Sequence, residues 1–413
     1  GLRILRRSRC ATALLFLCAG LVCETHAHVP LRPTARETGR HTTVEAQAGA
    51  AQEGGRDTTL RAQTGAHSGA QTGAPTDGGR GIEVIYSLFP ALFYSPDTGF
   101  GGGAGGSITW RDTVATPMGR PNSVSGVMFY TSKNQTLTAL QPRLYIGSQW
   151  LVQFDLTYRK FPFVTYGLGN DTPEDAEEDY VTEAFETLPA ILYRLTPELS
   201  LGATYHLRKL AVLEYEDGGF VAANMRDANG PDRGWTSGLG PVLEWDRRDN
   251  LFSAERGQYL RLSHRLYRDA LGSDADYEEY EVDARQFFPL GNGHVLAFQA
   301  VGTRRTGRLF VTDYASLSDV QRGAPVGRYQ DRMLAMAQAE WRLPISRRFS
   351  AAFFAAGGQV AGEWEGFDLA ETKVTGGAGL RYILSVEERT RLRVDFGLGD
   401  AGMEVYFQFG EAF

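Results

Sequence analysis

From Gly81 onward the chain repeats one pattern: segments of about 10 residues in which apolar side chains alternate with polar or small ones, separated by turn-forming residues. Successive strand side chains point to opposite faces, so this period constrains the chain to strands with one apolar and one polar face. In 150–161, Val152, Phe154, Leu156 and Tyr158 oppose Gln153, Asp155, Thr157 and Arg159. In 391–398, Leu392, Val394, Phe396 and Leu398 oppose Arg391, Arg393, Asp395 and Gly397. In 258–266, Leu260, Leu262 and Leu266 oppose Arg261, Ser263 and Arg265. The last segment puts Met403, Val405, Phe407, Phe409 and Phe413 on one face, interrupted by Glu411.

The same alternation would suit a soluble sandwich, but two features favour a membrane barrel. The polar face carries many charges, as a hydrated lumen would, and the connections alternate in length. Sixteen strands are expected, near 86–94, 99–111, 121–131, 135–147, 149–161, 180–194, 197–209, 234–247, 257–268, 276–288, 293–305, 331–343, 347–361, 371–384, 390–399 and 402–413. From the fourth strand on, the turns at 147–148, 196–197, 291–292, 344–346 and 386–388 are short, whereas 163–179 and 306–330 are long. The connection 112–120 breaks the rule, and the long segment 210–233 falls where an external loop should be. Pro189 cannot donate to a ladder and counts against the sixth strand unless it marks a bulge. Trp110, Trp150, Tyr193, Phe287, Phe288 and Trp341 gather at the short-turn ends, as rings at headgroup level do. The expected fold is all-β: a sixteen-stranded antiparallel transmembrane β-barrel over 81–413 in a bacterial outer membrane, with outer-membrane lipid as its surroundings.

The rest of the chain fits an exported protein. Arg3, Arg6, Arg7 and Arg9 precede an apolar stretch over 11–23 and a small-residue site at Thr25 and Ala27, so 1–27 reads as a secretory signal. All three cysteines lie inside it, which excludes thiolate metal sites and cysteine catalysis from the mature chain. Residues 28–80 repeat Gln-Thr-Gly-Ala and hold few large apolar residues, so they read as a disordered linker. The net charge of −7 argues against a nucleic-acid partner. Mean hydropathy is below zero, which a barrel tolerates because only alternate residues of each strand meet lipid.

Four stretches carry a family resemblance. They are Glu244-Trp245-Asp246-Arg247-Arg248-Asp249-Asn250 followed by Arg256-Gly257; Gln321-Arg322-Gly323-Ala324-Pro325-Val326-Gly327-Arg328-Tyr329; Ala339-Glu340-Trp341-Arg342-Leu343-Pro344; and Gly410-Glu411-Ala412-Phe413. In this order they resemble the surface-antigen barrel of the BamA/TamA family, over about 81–413. The Arg-Gly stretch falls between the eleventh and twelfth expected strands, where the family carries its long sixth external loop. Two departures stand out. Residues 28–80 are too short and too polar for one of the POTRA modules that precede the barrel in family insertases. Ala356 stands where the family often has an acid that meets the loop arginine, while Glu340 is retained.

The resemblance implies that the loop folds into the lumen, where Arg322 would pair with an inward carboxylate; Glu340 shares a face with Gln338 and Arg342 and is the candidate. Gly323 would supply a positive φ or a close approach to the wall. Phe409, Gly410 and Phe413 resemble the C-terminal signal read by the barrel-assembly machinery, with Phe413 expected on the lipid face. Closure would pair 86–94 with 402–413, and Pro90 and Gly410 both fall on that seam, where family insertases open laterally. Catalysis has little support. Ser263 and His264 are adjacent and face opposite sides, and the acidic run 171–179 holds no histidine. No cofactor or metal is implied. The expected function is non-enzymatic assistance in insertion or translocation of client proteins, with a periplasmic partner; the alternatives are a passive pore for small solutes and a surface hydrolase.

Overall fold

The computed structural model describes residues 15–16, 25–30, 81–95, 99–112, 120–227, 233–386, 389–400 and 402–413. Sixteen long strands form one antiparallel wall. They are β1 (Gly81–Ser95), β2 (Gly99–Asp112), β3 (Asn122–Thr131), β4 (Thr136–Ile146), β5 (Trp150–Thr165), β6 (Glu178–Arg194), β7 (Leu199–Glu214) and β8 (Arg233–Asp246). The second half comprises β9 (Gly257–Tyr267), β10 (Tyr277–Gly291), β11 (His294–Gly307), β12 (Met333–Pro344), β13 (Phe349–Ala361), β14 (Lys373–Ser385), β15 (Thr390–Gly399) and β16 (Gly402–Phe409). Each pairs with its neighbour in sequence, from β1 with β2 to β15 with β16. No helix among the described residues is long and apolar enough to cross a membrane; the strands do so.

Alternation sorts the wall into two faces. Leu262, Val282, Phe298, Trp341, Phe353 and Phe396 are exposed on the outside, where lipid lies, whereas Glu244, Arg265, Gln338, Glu340, Arg381 and Asp395 are buried on the inside. At the short-turn end Trp150, Phe288 and Trp341 face outward. Phe287 does not join this belt. It lies one residue out of phase with Phe288, faces inward and is buried. Pro189 sits in β6 without a bulge: the ladder to β7 runs Thr187↔Leu207 and resumes at Ala190↔Thr204, and the Thr204 hydroxyl donates to the Pro189 carbonyl at 3.3 Å.

The long-loop end carries a helix and an apolar cluster among the described residues. The segment 210–233 continues β7 to Glu214 and then forms a helix, α1 (Phe220–Asp227), which the strand pattern did not foretell. The buried carboxylate of Glu178 accepts from the Val221 amide at the first turn of α1. Val221 and Met225 pack on Tyr267, Tyr277, Leu309, Phe310 and Val311, so an apolar layer lies across this mouth. Dispersion and the exclusion of water hold such a layer together.

The seam departs from the expected pairing. The free edge of β1 pairs with two short N-terminal segments, Thr25–Pro30 against 81–86 and Leu15–Phe16 against 93–94, and among the described residues no ladder joins β1 to β16. An open strand edge takes any extended segment that satisfies its backbone groups. Pro90, which has no N–H, falls between the two paired stretches. Residues 1–14, 17–24 and 31–80, most of the expected signal and linker, lie outside the described residues.

Candidate functional site: the loop held in the lumen

Residues 308–332 join β11 to β12 and turn into the barrel. The root of this loop is fixed by arginines of the wall. Arg208 of β7 pairs with the Asp313 carboxylate, and Arg305 of β11 donates to the Asp313 carbonyl at 2.7 Å. Arg305 also meets Glu279, which Arg265 shares at 2.6 Å. Below the root, Ala315, Leu317, Ala324 and Tyr329 pack on Leu334, Met336 and Val360 of β12 and β13. The loop is also tied to its neighbour at 166–177: Gly169 bridges Gln330 and the Thr172 hydroxyl donates to the Arg328 carbonyl at 3.1 Å, while Asn170 bonds the backbone of Val360 on β13. Apolar packing and backbone pairing therefore set the loop's path before any charge at its tip is considered.

The tip is Gln321-Arg322-Gly323. The Arg322 Nη1 lies 2.7 Å from the Glu340 Oε2 and 2.7 Å from the Asp395 Oδ2. Its guanidinium carbon sits 3.6 Å from the centre of the Phe354 ring, and Nη2 donates to Gln338 at 3.4 Å. Gln321 donates to the Lys373 carbonyl at 2.8 Å, at the start of β14. Gly323 has a φ of 89°, and its amide donates to the Tyr406 hydroxyl at 2.8 Å. The main chain of Gly323 presses on Gly397 and Gly399 of β15: a Cβ at Gly399 would stand 2.2 Å from the Gly323 carbonyl oxygen. Glycines on both partners are what permit this approach.

The two carboxylates are shared by more than the loop. Arg342 donates to Glu340 at 2.7 Å, and Arg381 bridges Glu340 at 3.2 Å and Asp395 at 2.5 Å. Arg393 also pairs with Asp395. Each carboxylate thus has several charge-assisted donors, which offsets the cost of burying it. The acid absent at Ala356 is supplied by Asp395, two strands further on. Asp395 had been placed on the polar face, but nothing local in the sequence pointed it at Arg322. The signal that could have found it is the requirement that a buried charge have a partner, applied to an arginine-rich face holding one aspartate.

The C-terminal residues correct an expectation. Phe413 does not face lipid. Gly410, with a φ of 86°, ends β16 and turns the chain inward. Glu411 then meets Arg391 at 2.8 Å and Arg381 at 3.3 Å, and Phe413 is buried against Ala254, Phe287 and Ala297. Arg342 donates to the Phe413 carbonyl at 3.0 Å. Continuing the period of two would have put Glu411 into lipid, which is unfavourable while three inward arginines are within reach. Phe409 remains the last strand residue, pairing with Leu392. Elsewhere Ser263 faces inward to Glu281, whereas His264 faces outward and stacks on Tyr280, so the two stay apart.

A model of the Omp85 superfamily domain matches residues 118–319. That match ends before Arg322, so the anchor rests on its geometry. Among solved structures, BamA from Haemophilus ducreyi lacking POTRA domains 1-3 is similar in fold, with a TM-score of 0.53 and 14% identity over 78% of this chain and 69% of that one. OccK11 (OpdR) of Pseudomonas aeruginosa aligns over 79% of this chain and 87% of its own at 13% identity, but its TM-score of 0.28 carries no argument. No curated protein matches the sequence.

Proposed function

We propose that this chain is an outer-membrane barrel of the BamA/TamA type that assists the insertion or passage of client proteins rather than conducting solutes; the match of an Omp85 superfamily domain model to residues 118–319 and the fold shared with BamA support this reading. The observation that carries this reading is the locked lumen. The loop 308–332 is fixed at its root by Arg208 and Arg305 and at its tip by Glu340 and Asp395, beneath the apolar layer built on α1. In this reading Arg322, Gly323 and Glu340 hold the loop and leave the wall as the working surface. The seam at Pro90 is where the wall yields. Phe409, Gly410 and Phe413 are read by the barrel-assembly machinery when this protein is itself assembled.

Single-channel recording and crosslinking test the proposal together. The reconstituted protein should give low, fluctuating conductance. One cysteine placed in 88–93 and one in 405–409 should crosslink in only part of the population, and locking them should impair client insertion into vesicles. A steady open conductance with a fully crosslinked seam would favour the passive pore instead.

A further inference from the structure

The lipid-facing wall of β9 to β12 is recessed. Strand register sets its outward residues in rows. One row runs His264↔Tyr280↔Arg304 across β9, β10 and β11. The next row, two residues closer to the short-turn end, is Leu262↔Val282↔Gly302↔Ala335. The row below that is Leu260↔Ala284↔Ala300↔Ala337. Wall residues facing acyl chains are ordinarily bulky. Here glycine and alanine leave a trough, with one recess of about 620 Å³ around Gly302 and Ala335 and another of about 830 Å³ around Ala300 and Ala337. Trp364 and Phe367, from the connection between β13 and β14, overhang the first.

The head of the trough is polar, and its charges do not cancel. Glu278 pairs with Arg268 at 2.7 Å, lies 3.6 Å from His264 and accepts from the Tyr280 hydroxyl at 2.9 Å. Arg304 has no carboxylate partner among the described residues. Its guanidinium instead lies 6.0 Å from the ring centres of both Tyr280 and Trp364. It stands three residues inside the end of β11 at Gly307, about 10 Å along the strand at its rise per residue. An arginine on the lipid face there is costly unless an anion from the membrane meets it. Lipid phosphates supply that anion, and the acyl chains of the same molecule run in the direction of the trough.

We propose that this face is a binding site for a phosphorylated acyl lipid of the external leaflet, its phosphate on Arg304 and an acyl chain in the trough over Gly302 and Ala335. The leaflet follows from the long-loop end being external; the proposal is otherwise independent of what the lumen and the seam do.

The test uses the full chain in detergent micelles, titrated with bisphosphorylated hexa-acyl lipid A and with the same molecule stripped of phosphate. Binding is read by native mass spectrometry and by the part of the tryptophan fluorescence change that Trp364→Phe removes. The unmodified protein should bind the phosphorylated form at least about tenfold more tightly. Arg304→Gln should abolish that difference and Arg304→Lys should keep most of it. Ala335→Phe, at an exposed wall position, should fill the trough and weaken both lipids. Heat-dependent gel migration reports the folding of each variant, and the two-lipid comparison on unmodified protein stands without any variant. Equal binding of the two lipids, persistence of the difference in Arg304→Gln, or no effect of Ala335→Phe would each overturn the proposal.

Discussion

The wall from β12 to β15 and the wall from β1 to β3 are built differently. The first is cross-linked from within: Glu340 and Asp395 are shared by Arg322, Arg342, Arg381 and Arg393, so adjacent strands and the loop tip are fixed to one another. The inner face of the second carries Ile85, Ser87, Phe89, Ser107, Thr109 and Ser123, with Phe89 lying over Gly105. Among the described residues its bonds are backbone ladders and neutral contacts such as the Thr109 hydroxyl on the Ile85 carbonyl at 3.3 Å. Both regions are complete β-ladders, and they differ in what backs the ladder. The difference teaches that in a barrel strand count sets the shape, whereas inward charge sets which sector resists opening.

The comparison breaks if the two sectors respond alike. Asp395→Ala should give the largest effect. It leaves Arg381 and Arg393 short of their carboxylate and should cost about 3–5 kcal/mol, read as a fall in the temperature at which the folded gel band is lost. Arg322→Ala comes next. Glu340 and Asp395 keep other arginines, so a loss of about 1–3 kcal/mol is expected, together with faster proteolysis within 308–332. Unchanged cleavage there would reduce Arg322 to an ordinary turn residue. Thr109→Ala, in the less cross-linked wall, should cost about 0.5–1.5 kcal/mol. A loss equal to that of Asp395→Ala would show that the sectors are not distinct.

The smallest effect lies outside the membrane. Burial raises the Asp249 carboxyl, but the amides of Glu255 and Arg256 and the Arg389 guanidinium more than offset this and hold its pKa below the ordinary range. A depressed carboxylate contributes stability above its unfolded pKa and loses it as pH falls through the folded value. The short-turn loop 247–256 should therefore loosen only below about pH 4, by less than about 1 kcal/mol because the group is partly solvated. Hydrogen exchange of the Glu255 and Arg256 amides checks this, and Asp249→Asn should remove the pH dependence.

Much of this was legible in the sequence because its cause is local. A period of two assigns each side chain a face whatever its neighbours do, so Asp395 and Glu340 inward, Leu262 outward and Arg322 between the eleventh and twelfth strands follow from the residues alone. Glu340 as partner to Arg322 was also within reach, since both the resemblance and the face agree. What the pattern could not settle depends on register and on where a loop travels. Asp395 of β15 meets Arg322 of the loop before β12 although they lie 73 positions apart in sequence, a contact fixed only once strand stagger and loop path are set. The inward turn of Glu411 and Phe413 depends on a positive φ at Gly410 and on arginines from three other strands. The trough headed by Arg304 exists only because small residues of β10, β11 and β12 fall in the same rows. Periodicity is a property of each segment, whereas the pairing of charges and the depth of a surface are properties of the assembled sheet.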